Sequence, residues 1–145
     1  MRISMRTDYG VRAVTDLAQH YGRGLIQCRD IANRQRIPEN YLDQLMTDLR
    51  KAGLVKSTRG PAGGHQLARP PAEVTMGQVV EALEGPLFPI GCLDASGNCA
   101  LSPNCAQREV WAEIHELTRR VLDSTTVEDL ARRQQHGREE VRYYI

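Results

Sequence analysis

The sequence is poor in the features that several classes of protein require. It has no long apolar run and no basic-then-apolar leader, so we expect a cytoplasmic protein with neither a membrane span nor secretion. Four unevenly spaced cysteines argue against a disulfide framework. One phenylalanine and one tryptophan leave little for stacking unpaired bases. No phosphate-cradling glycine motif and no paired acid–base constellation is present, which argues against an enzyme.

What the sequence does have is a strong division of charge. The formal net charge of +1 over 145 residues combines net +6 in residues 1–70 with net −5 in residues 71–145. A basic front half predicts contact with a polyanion, although chance segregation of surface charge would give the same count.

The first half of the chain has the pattern of a winged helix-turn-helix. Apolar residues recur at helical spacing from Thr7 to Tyr21, with Thr7 or Asp8 as the N-cap. The short helix "CRDIANRQ", the turn "RIP" and the longer helix "ENYLDQLMTDLRKAGL", opened by Pro38, predict a helix-turn-helix. The strand-like segments "LVKSTRG" and "HQLARP", joined by "PAGG", then predict a basic hairpin, the wing.

The second half predicts one more short helix, "TMGQVVEALEG", then a cysteine-containing loop and a long helix from Pro103 to Leu122. Apolar residues three and four apart on the long helix favour a coiled-coil-like seam between two copies, with packing against its own domain as the alternative. That apolar stripe consists of Val110, Trp111, Ile114, Leu117, Val121 and Leu122. A short final helix, "TTVEDLARRQ", is capped by Thr125 or Thr126.

The expected fold class is therefore mainly α, a winged helix-turn-helix with a long C-terminal dimerisation helix. We assign residues 1–85 to the DNA-binding domain and residues 86–106 to the cysteine-containing loop. Residues 103–135 form the dimerisation helix and the short final helix, and residues 136–145 form a tail.

The third helix carries the side chains predicted to contact bases. The major groove of B-DNA admits one α-helix, and Asn40, Asp43 and Gln44 lie within about one turn of each other. Asn and Gln bind adenine through two hydrogen bonds, and Asp accepts from the cytosine amino group. For Tyr41, contact with a phosphate competes with half-buried packing in the core.

Basic side chains around this helix are candidates for phosphate contacts. Lys56 in the wing would neutralise a phosphate, and Arg59 at the wing tip would enter a neighbouring minor groove. Arg29 and Arg34 on the second helix are further candidates. An ordinary solvated charge is the alternative for each residue, but together they favour double-stranded promoter DNA as the partner.

Long stretches of the chain resemble the Rrf2 family of bacterial transcription regulators, above all "YLDQLMTDLRKAGLVKSTRGPAGGHQLAR", with "MRISMRTDYGVRAV" and "VVEALEGP". The resemblance implies a homodimer whose long helix crosses its partner and which recognises partly palindromic promoter sites. In the iron–sulfur-cluster regulator of the family, base contacts come from positions matching Asn40, Asp43 and Gln44, and the wing arginine matches Arg59. Asn40 and Asp43 replace other polar residues, so target preference need not carry over.

Three loop cysteines, Cys92, Cys99 and Cys105, occupy the positions at which cluster-binding members of the family carry three. Thiolates are the usual ligands of iron–sulfur clusters, so the resemblance implies a 2Fe-2S or 4Fe-4S cluster that senses redox, nitric oxide or iron status. Six residues separate Cys92 from Cys99, whereas the cluster-binding members usually have five between the first two cysteines. A thiol switch without a cluster and a zinc site are the alternatives. Cys28, alone on the second helix, is predicted to be a packing residue.

The fourth ligand of such a cluster would come from elsewhere. Arg108 stands where the iron–sulfur-cluster regulator has a histidine. In the nitric-oxide-sensing branch the fourth ligand is an aspartate near the N-terminus of the partner subunit. Asp8 occupies the matching position in this chain. Its other interpretation is a helix N-cap. Glu109 is a weaker candidate.

A second branch of the family offers a different function. "LDSTTVEDLA" and the ending "YYI" resemble the cysteine-metabolism repressor, which lacks the cysteine cluster and works with a cysteine synthase. The alternative to cluster sensing is therefore a repressor of cysteine and sulfur metabolism, controlled by a partner enzyme through the C-terminal tail.

Overall fold

The computed structural model describes residues 2–94 and 99–143. Over these residues the chain forms six α-helices and one two-stranded antiparallel sheet, which confirms the mainly α class. The elements are α1 (Met5–Gln19), α2 (Cys28–Gln35), α3 (Glu39–Lys51), β1 (Val55–Thr58), β2 (Gly64–Leu67), α4 (Met76–Glu84), α5 (Ala106–Ser124) and α6 (Val127–Tyr143). Within the described ranges, no helix is long and apolar enough to cross a membrane.

Helix α1 begins earlier than predicted. Ser4, in extended conformation, is the N-cap, and its hydroxyl accepts a hydrogen bond from the Thr7 backbone N–H at 3.3 Å. The expectation that Thr7 or Asp8 caps the helix was therefore wrong. Thr7 instead donates its hydroxyl hydrogen to the Glu84 carboxylate at 2.8 Å. Hydrogen bonds from Ser4 and Thr7 hold the pKa of Glu84 below its usual value and tie α1 to α4.

One hydrophobic core is shared by the four helices α1, α2, α3 and α4, by the sheet and by the start of α6. The apolar face of α3 lies at its centre, and Leu42, Leu45, Met46 and Leu49 of this helix are buried. Gly10 allows α1 and α4 to approach closely, because a Cβ at this position would overlap the Leu83 side chain. The other buried apolar residues are Ala13, Val14, Leu17, Ile31, Ala32, Ile37, Leu54, Val55, Leu67, Val74, Val79, Val80 and Val127.

The wing, defined here as residues 55–67, is the predicted hairpin. Strands β1 and β2 pair antiparallel, with Ser57 opposite His65. Ile26 adds a short bridge to β2 through two backbone hydrogen bonds with His65, each 2.8 Å long. This bridge anchors the wing to the segment that leads into α2.

Helix α5 contributes no buried residue to the core. One of its faces packs against α4 and the segment before α5, and there the His115 ring donates a hydrogen bond to the Leu87 carbonyl at 2.8 Å. The opposite side carries a row of exposed apolar residues, from Val110, 56% exposed, to Val121, 64% exposed. We call this row the α5 seam; its members are Val110, Ile114, Leu117 and Val121. Packing against its own domain, the alternative interpretation of α5, describes one side of this helix; pairing of two copies through the α5 seam remains a prediction.

The corner between α5 and α6 is bound to the start of α4. The Met76 N–H donates to the Thr125 carbonyl at 2.7 Å, and the Val127 N–H donates to the Val74 carbonyl at 2.8 Å. Thr126 and Asp129 exchange hydrogen bonds at the beginning of α6. Of the two residues predicted to cap this helix, Thr126 is therefore the cap.

Helix α6 is longer than predicted. It continues to Tyr143, so most of the segment expected to be a tail is helical. Helix α6 packs against α1, and it tolerates Gly137 in its interior, which costs about 1 kcal/mol for a glycine inside a helix. Two of the last three residues, Tyr144 and Ile145 of "YYI", lie outside the described residues.

Candidate nucleic-acid interface

The three predicted base-contacting residues share one exposed side of α3. Asn40, Asp43 and Gln44 are all exposed, whereas the core-facing leucines of the same helix are fully buried. This arrangement leaves the amide and carboxylate groups accessible without disturbing the core. Their contacts with bases remain a prediction.

Tyr41 has a packing role. Its ring meets the Tyr9 ring edge-on, with centroids 5.7 Å apart and an interplanar angle of 79°. The pair joins α3 to α1, while 38% of Tyr41 remains exposed. The packing interpretation considered above is therefore present, and contact of Tyr41 with a phosphate remains a prediction.

Three of the predicted phosphate-binding side chains are exposed and positioned around α3. Arg29 lies in the first turn of α2, Lys56 on β1, and Arg59 at the tip of the wing. In the part of the chain that the structure describes, none of the three pairs with a carboxylate within 4 Å. Their charges are available to a DNA backbone.

Arg34 is exposed, and its guanidinium pairs with a buried carboxylate; its contact with a phosphate remains a prediction. Its guanidinium donates two hydrogen bonds to the Asp16 carboxylate, at 2.9 and 2.7 Å, and this pairing raises the pKa of Arg34. Asp16 is 0% exposed and also accepts from the Gln35 amide at 3.0 Å. The ion pair fixes α2 against α1 and thereby sets the position of the helix-turn-helix.

Cys28, the first residue of α2, lies next to the predicted base-contacting Asp43 of α3. Burial, a hydrogen bond with Asp43 and the negative charges of Asp43 and Glu39 raise the pKa of the Cys28 thiol to about 12. The thiol therefore stays protonated and weakly reactive at neutral pH, as befits a packing residue. Burial lowers the pKa of His65 on the wing, whose ring lies 2.7 Å from the Ser57 hydroxyl. The sequence alone does not show that Cys28 lies next to Asp43 or that His65 meets Ser57.

The three loop cysteines are not gathered into a metal site. Cys92 is half-buried in a 3₁₀ turn, Cys99 is exposed, and half-buried Cys105 immediately precedes α5. Within residues 2–94 and 99–143, no group of three or more His, Cys, Asp or Glu side chains is placed to hold a metal ion. This arrangement does not fit an iron–sulfur cluster, and cluster ligation by these cysteines remains a prediction.

The proposed fourth ligand is engaged within its own subunit. Asp8 forms an ion pair with Arg12 at 2.7 Å, one helical turn further along α1. Its side chain is 42% exposed, which leaves it accessible from outside the subunit. Glu109 is exposed in the first turn of α5. Ligation by Asp8 from the partner subunit stays a prediction.

Comparison with known proteins places the chain among transcriptional regulators. The Rrf2 family model, described as an iron-dependent transcriptional regulator, matches residues 3–133. The HTH-type transcriptional regulator CymR of Bacillus subtilis is 39% identical over 145 residues, which cover all of both chains.

Solved structures agree with this assignment. The structure of B. subtilis CymR, titled the global cysteine regulator of that organism, has a TM-score of 0.76 at 38% identity and covers 90% of this chain and 96% of that one. The structure of T. potens IscR has a TM-score of 0.76 at 37% identity and covers 94% of this chain and 90% of that one. The winged helix-turn-helix fold is thus confirmed, and the chain belongs to the Rrf2 family of transcriptional regulators.

Proposed function

We propose that the protein is a dimeric, DNA-binding regulator of genes for cysteine and sulfur metabolism. The observation that carries the proposal is its similarity, over the whole length of both chains, to CymR, whose structure is titled a global cysteine regulator. The segment "LDSTTVEDLA" at the α5–α6 corner supports the same branch of the family.

The exposed side of α3 would enter the major groove. Asn40, Asp43 and Gln44 would face base edges there, while Lys56 and Arg59 of the wing would contact the backbone and the adjacent minor groove. The Asp16–Arg34 ion pair holds α2, and the Ile26–His65 bridge holds the wing, so these parts would meet DNA with little rearrangement.

Two copies of α3 would bind successive turns of the duplex. The α5 seam supplies an apolar surface suited to a second copy of the chain, with the 3–4 spacing of helix pairs. A symmetric dimer then predicts a partly palindromic site with half-site centres about 10 base pairs apart.

Binding of the purified protein to fragments of its own genome tests the proposal. We expect the selected fragments to lie upstream of genes for cysteine and sulfur metabolism. Gln44→Ala should broaden the selected set, with a loss of about 1–3 kcal/mol for the preferred sequence, because a base contact is removed. Lys56→Ala should weaken binding to all fragments and reduce the salt dependence, because a phosphate contact is removed.

Gln44→Ala and Lys56→Ala each serve as the control for the other in this experiment. Equal, sequence-independent losses from both would contradict the division between base and phosphate contacts. Selection of fragments unrelated to sulfur metabolism, with base preference intact, would leave a DNA-binding regulator but reject the proposed targets.

Control by a cysteine synthase is the finer part of this proposal. It rests on the resemblance of the ending "YYI" to the cysteine-metabolism repressor. Tyr144 and Ile145 lie outside the described residues, and the partner remains a prediction.

A second candidate function is iron–sulfur sensing, which is supported by the three loop cysteines and by the similarity to T. potens IscR. If it holds, protein purified without oxygen should contain iron and sulfide, and Cys99→Ser should lose both. Cys28→Ser is the matched control, since this thiol packs between α2 and α3 far along the chain from the loop. Iron-free protein after reconstitution rejects this candidate and leaves the cysteine regulator untouched.

A further inference from the structure

We propose that Arg23, Arg138 and Arg142 form a binding site for a tetrahedral oxyanion, that is, a phosphate or sulfate group. The three side chains line a groove of about 270 Å³ between the C-terminal end of α1 and the last turns of α6. We call it the arginine groove.

Two of the three arginines lie on the part of α6 that continues beyond the predicted end of this helix. Arg138 and Arg142 are four residues apart on this helix and therefore lie on the same side of it. The packing of α6 against α1 brings that side opposite Arg23, in the connection between α1 and α2. The three arginines thus come from two separate parts of the chain and line one groove.

The charges in the groove are not balanced by the protein. None of the three arginines has a carboxylate within 4 Å among the described residues. Glu139 also lines the groove and lies 4.0 Å from His136 on the same helix. With one carboxylate against three guanidinium groups, the groove has a net charge of about +2 when histidine is neutral. Like charges four residues apart on a helix are mildly destabilising, and a bound anion removes that cost.

Capping of α1 does not account for the arginines. The carbonyl groups at the end of α1 already have partners: Asp16 O accepts from the His20 N–H at 3.2 Å and from the His20 ring at 2.8 Å. Ala18 O accepts from the Tyr21 N–H at 3.3 Å. These two carbonyl groups therefore do not need the guanidinium groups as donors.

The chemistry of the lining selects an oxyanion. A guanidinium presents paired N–H donors that match two oxygens of a phosphate or sulfate group. The amide groups of Gln19 and Gln135 add neutral donors to the same groove. A planar carboxylate would use fewer of these donors than a tetrahedral anion, whose oxygens point in four directions.

Two sources carry this chemistry, the DNA backbone and a free anion. Arg23 lies three residues before Ile26, which is bridged to the wing, so the groove is linked to the DNA-binding part of the chain. The DNA source rests on the proposed function, whereas binding of a free anion does not.

Titration of inorganic phosphate into the full-length protein in chloride buffer, without DNA, tests the site. We expect saturable binding that weakens at least tenfold in Arg138→Gln/Arg142→Gln. Arg23→Gln, on a different element, should weaken it as well. Arg132→Gln is the control for the loss of a positive charge from α6: Arg132 pairs with Glu128 at 3.1 Å, so this variant should leave phosphate binding unchanged.

DNA binding of the double variant over a range of salt concentrations separates the two sources. For a DNA phosphate, the slope of log K against log salt becomes shallower by about 0.9 for each phosphate that the variant no longer neutralises, whether or not inorganic phosphate binds. For a free anion, phosphate binding disappears and the slope is unchanged. The proposal is overturned if the double variant matches the parent in both measurements. A parent protein that binds phosphate but no promoter would reject the proposed function and leave the site standing.

Discussion

Asp16→Ala is expected to lower the free energy of unfolding by about 3 kcal/mol, at the lower end of the range for a broken buried ion pair. The carboxylate is fully buried and accepts three hydrogen bonds, two from Arg34 and one from Gln35. Its removal leaves the Gln35 amide and the guanidinium without partners. The Arg34 side chain is 35% exposed, so water can reach it and limit the loss. Urea denaturation measures the change.

Asp8→Ala is the matched control for this prediction. Asp8 is on the same helix and also pairs with an arginine, Arg12, at 2.7 Å, but both side chains are more than 40% exposed. An exposed pair of this kind contributes about 0–1 kcal/mol. Similar losses in the two variants would show that the Asp16 network does not fix α2 on α1, and that the helix-turn-helix is held by its apolar core alone.

Local signals in the sequence were sufficient for the helix-turn-helix and the wing. The leucines of α3 recur at helical spacing, and this spacing determines which side of the helix is buried. The "PAGG" turn lies between two strand-like segments, and the hairpin forms there. In both cases neighbours in the sequence are also neighbours in the fold, so pattern alone identified the exposed positions Asn40, Asp43 and Gln44.

Contacts between distant segments were beyond the reach of the same reasoning. The pairing of Arg34 with the buried Asp16 could not be predicted, because the two residues are 18 positions apart and nothing near Arg34 in the sequence indicates the contact. The polar composition after Gln135 suggested a tail, but α6, which packs against α1, remains helical to Tyr143. The arginine groove depends on that packing and has no signature in the sequence.

The cysteine loop shows a related limit. The spacing of Cys92, Cys99 and Cys105 identifies thiols suited to a cluster, but ligation also requires the path of the loop and, for Asp8, the position of a second subunit. Within the described ranges, one chain folded alone does not bring these groups together. The chemistry of a ligand set can be predicted from composition, whereas its assembly cannot.

Leu117→Lys is expected to convert the proposed dimer to a monomer and to lower DNA affinity by about 10²–10⁴-fold. Leu117 lies in the middle of the α5 seam and is 48% exposed in the single chain, so the substitution should barely change the stability of one subunit. In a symmetric pair both copies of the seam are buried in the same apolar interface, and two ammonium groups without partner charges would be buried there at a high cost. A monomer reaches one half-site only, so it forgoes the gain in affinity that comes from joining two binding units. Sedimentation should give the mass of one 16.3 kDa chain.

Glu116→Lys separates dimer loss from the effect of an added positive charge. The two positions are adjacent on α5, but Glu116 is exposed about 100° around the helix from Leu117 and lies off the seam. This control should remain a dimer, and its extra charge should slightly strengthen binding to any DNA. If Leu117→Lys also remains a dimer, the subunits associate through another surface. If it becomes a monomer with undiminished affinity, one helix-turn-helix is sufficient for binding, and the palindromic site loses its physical basis.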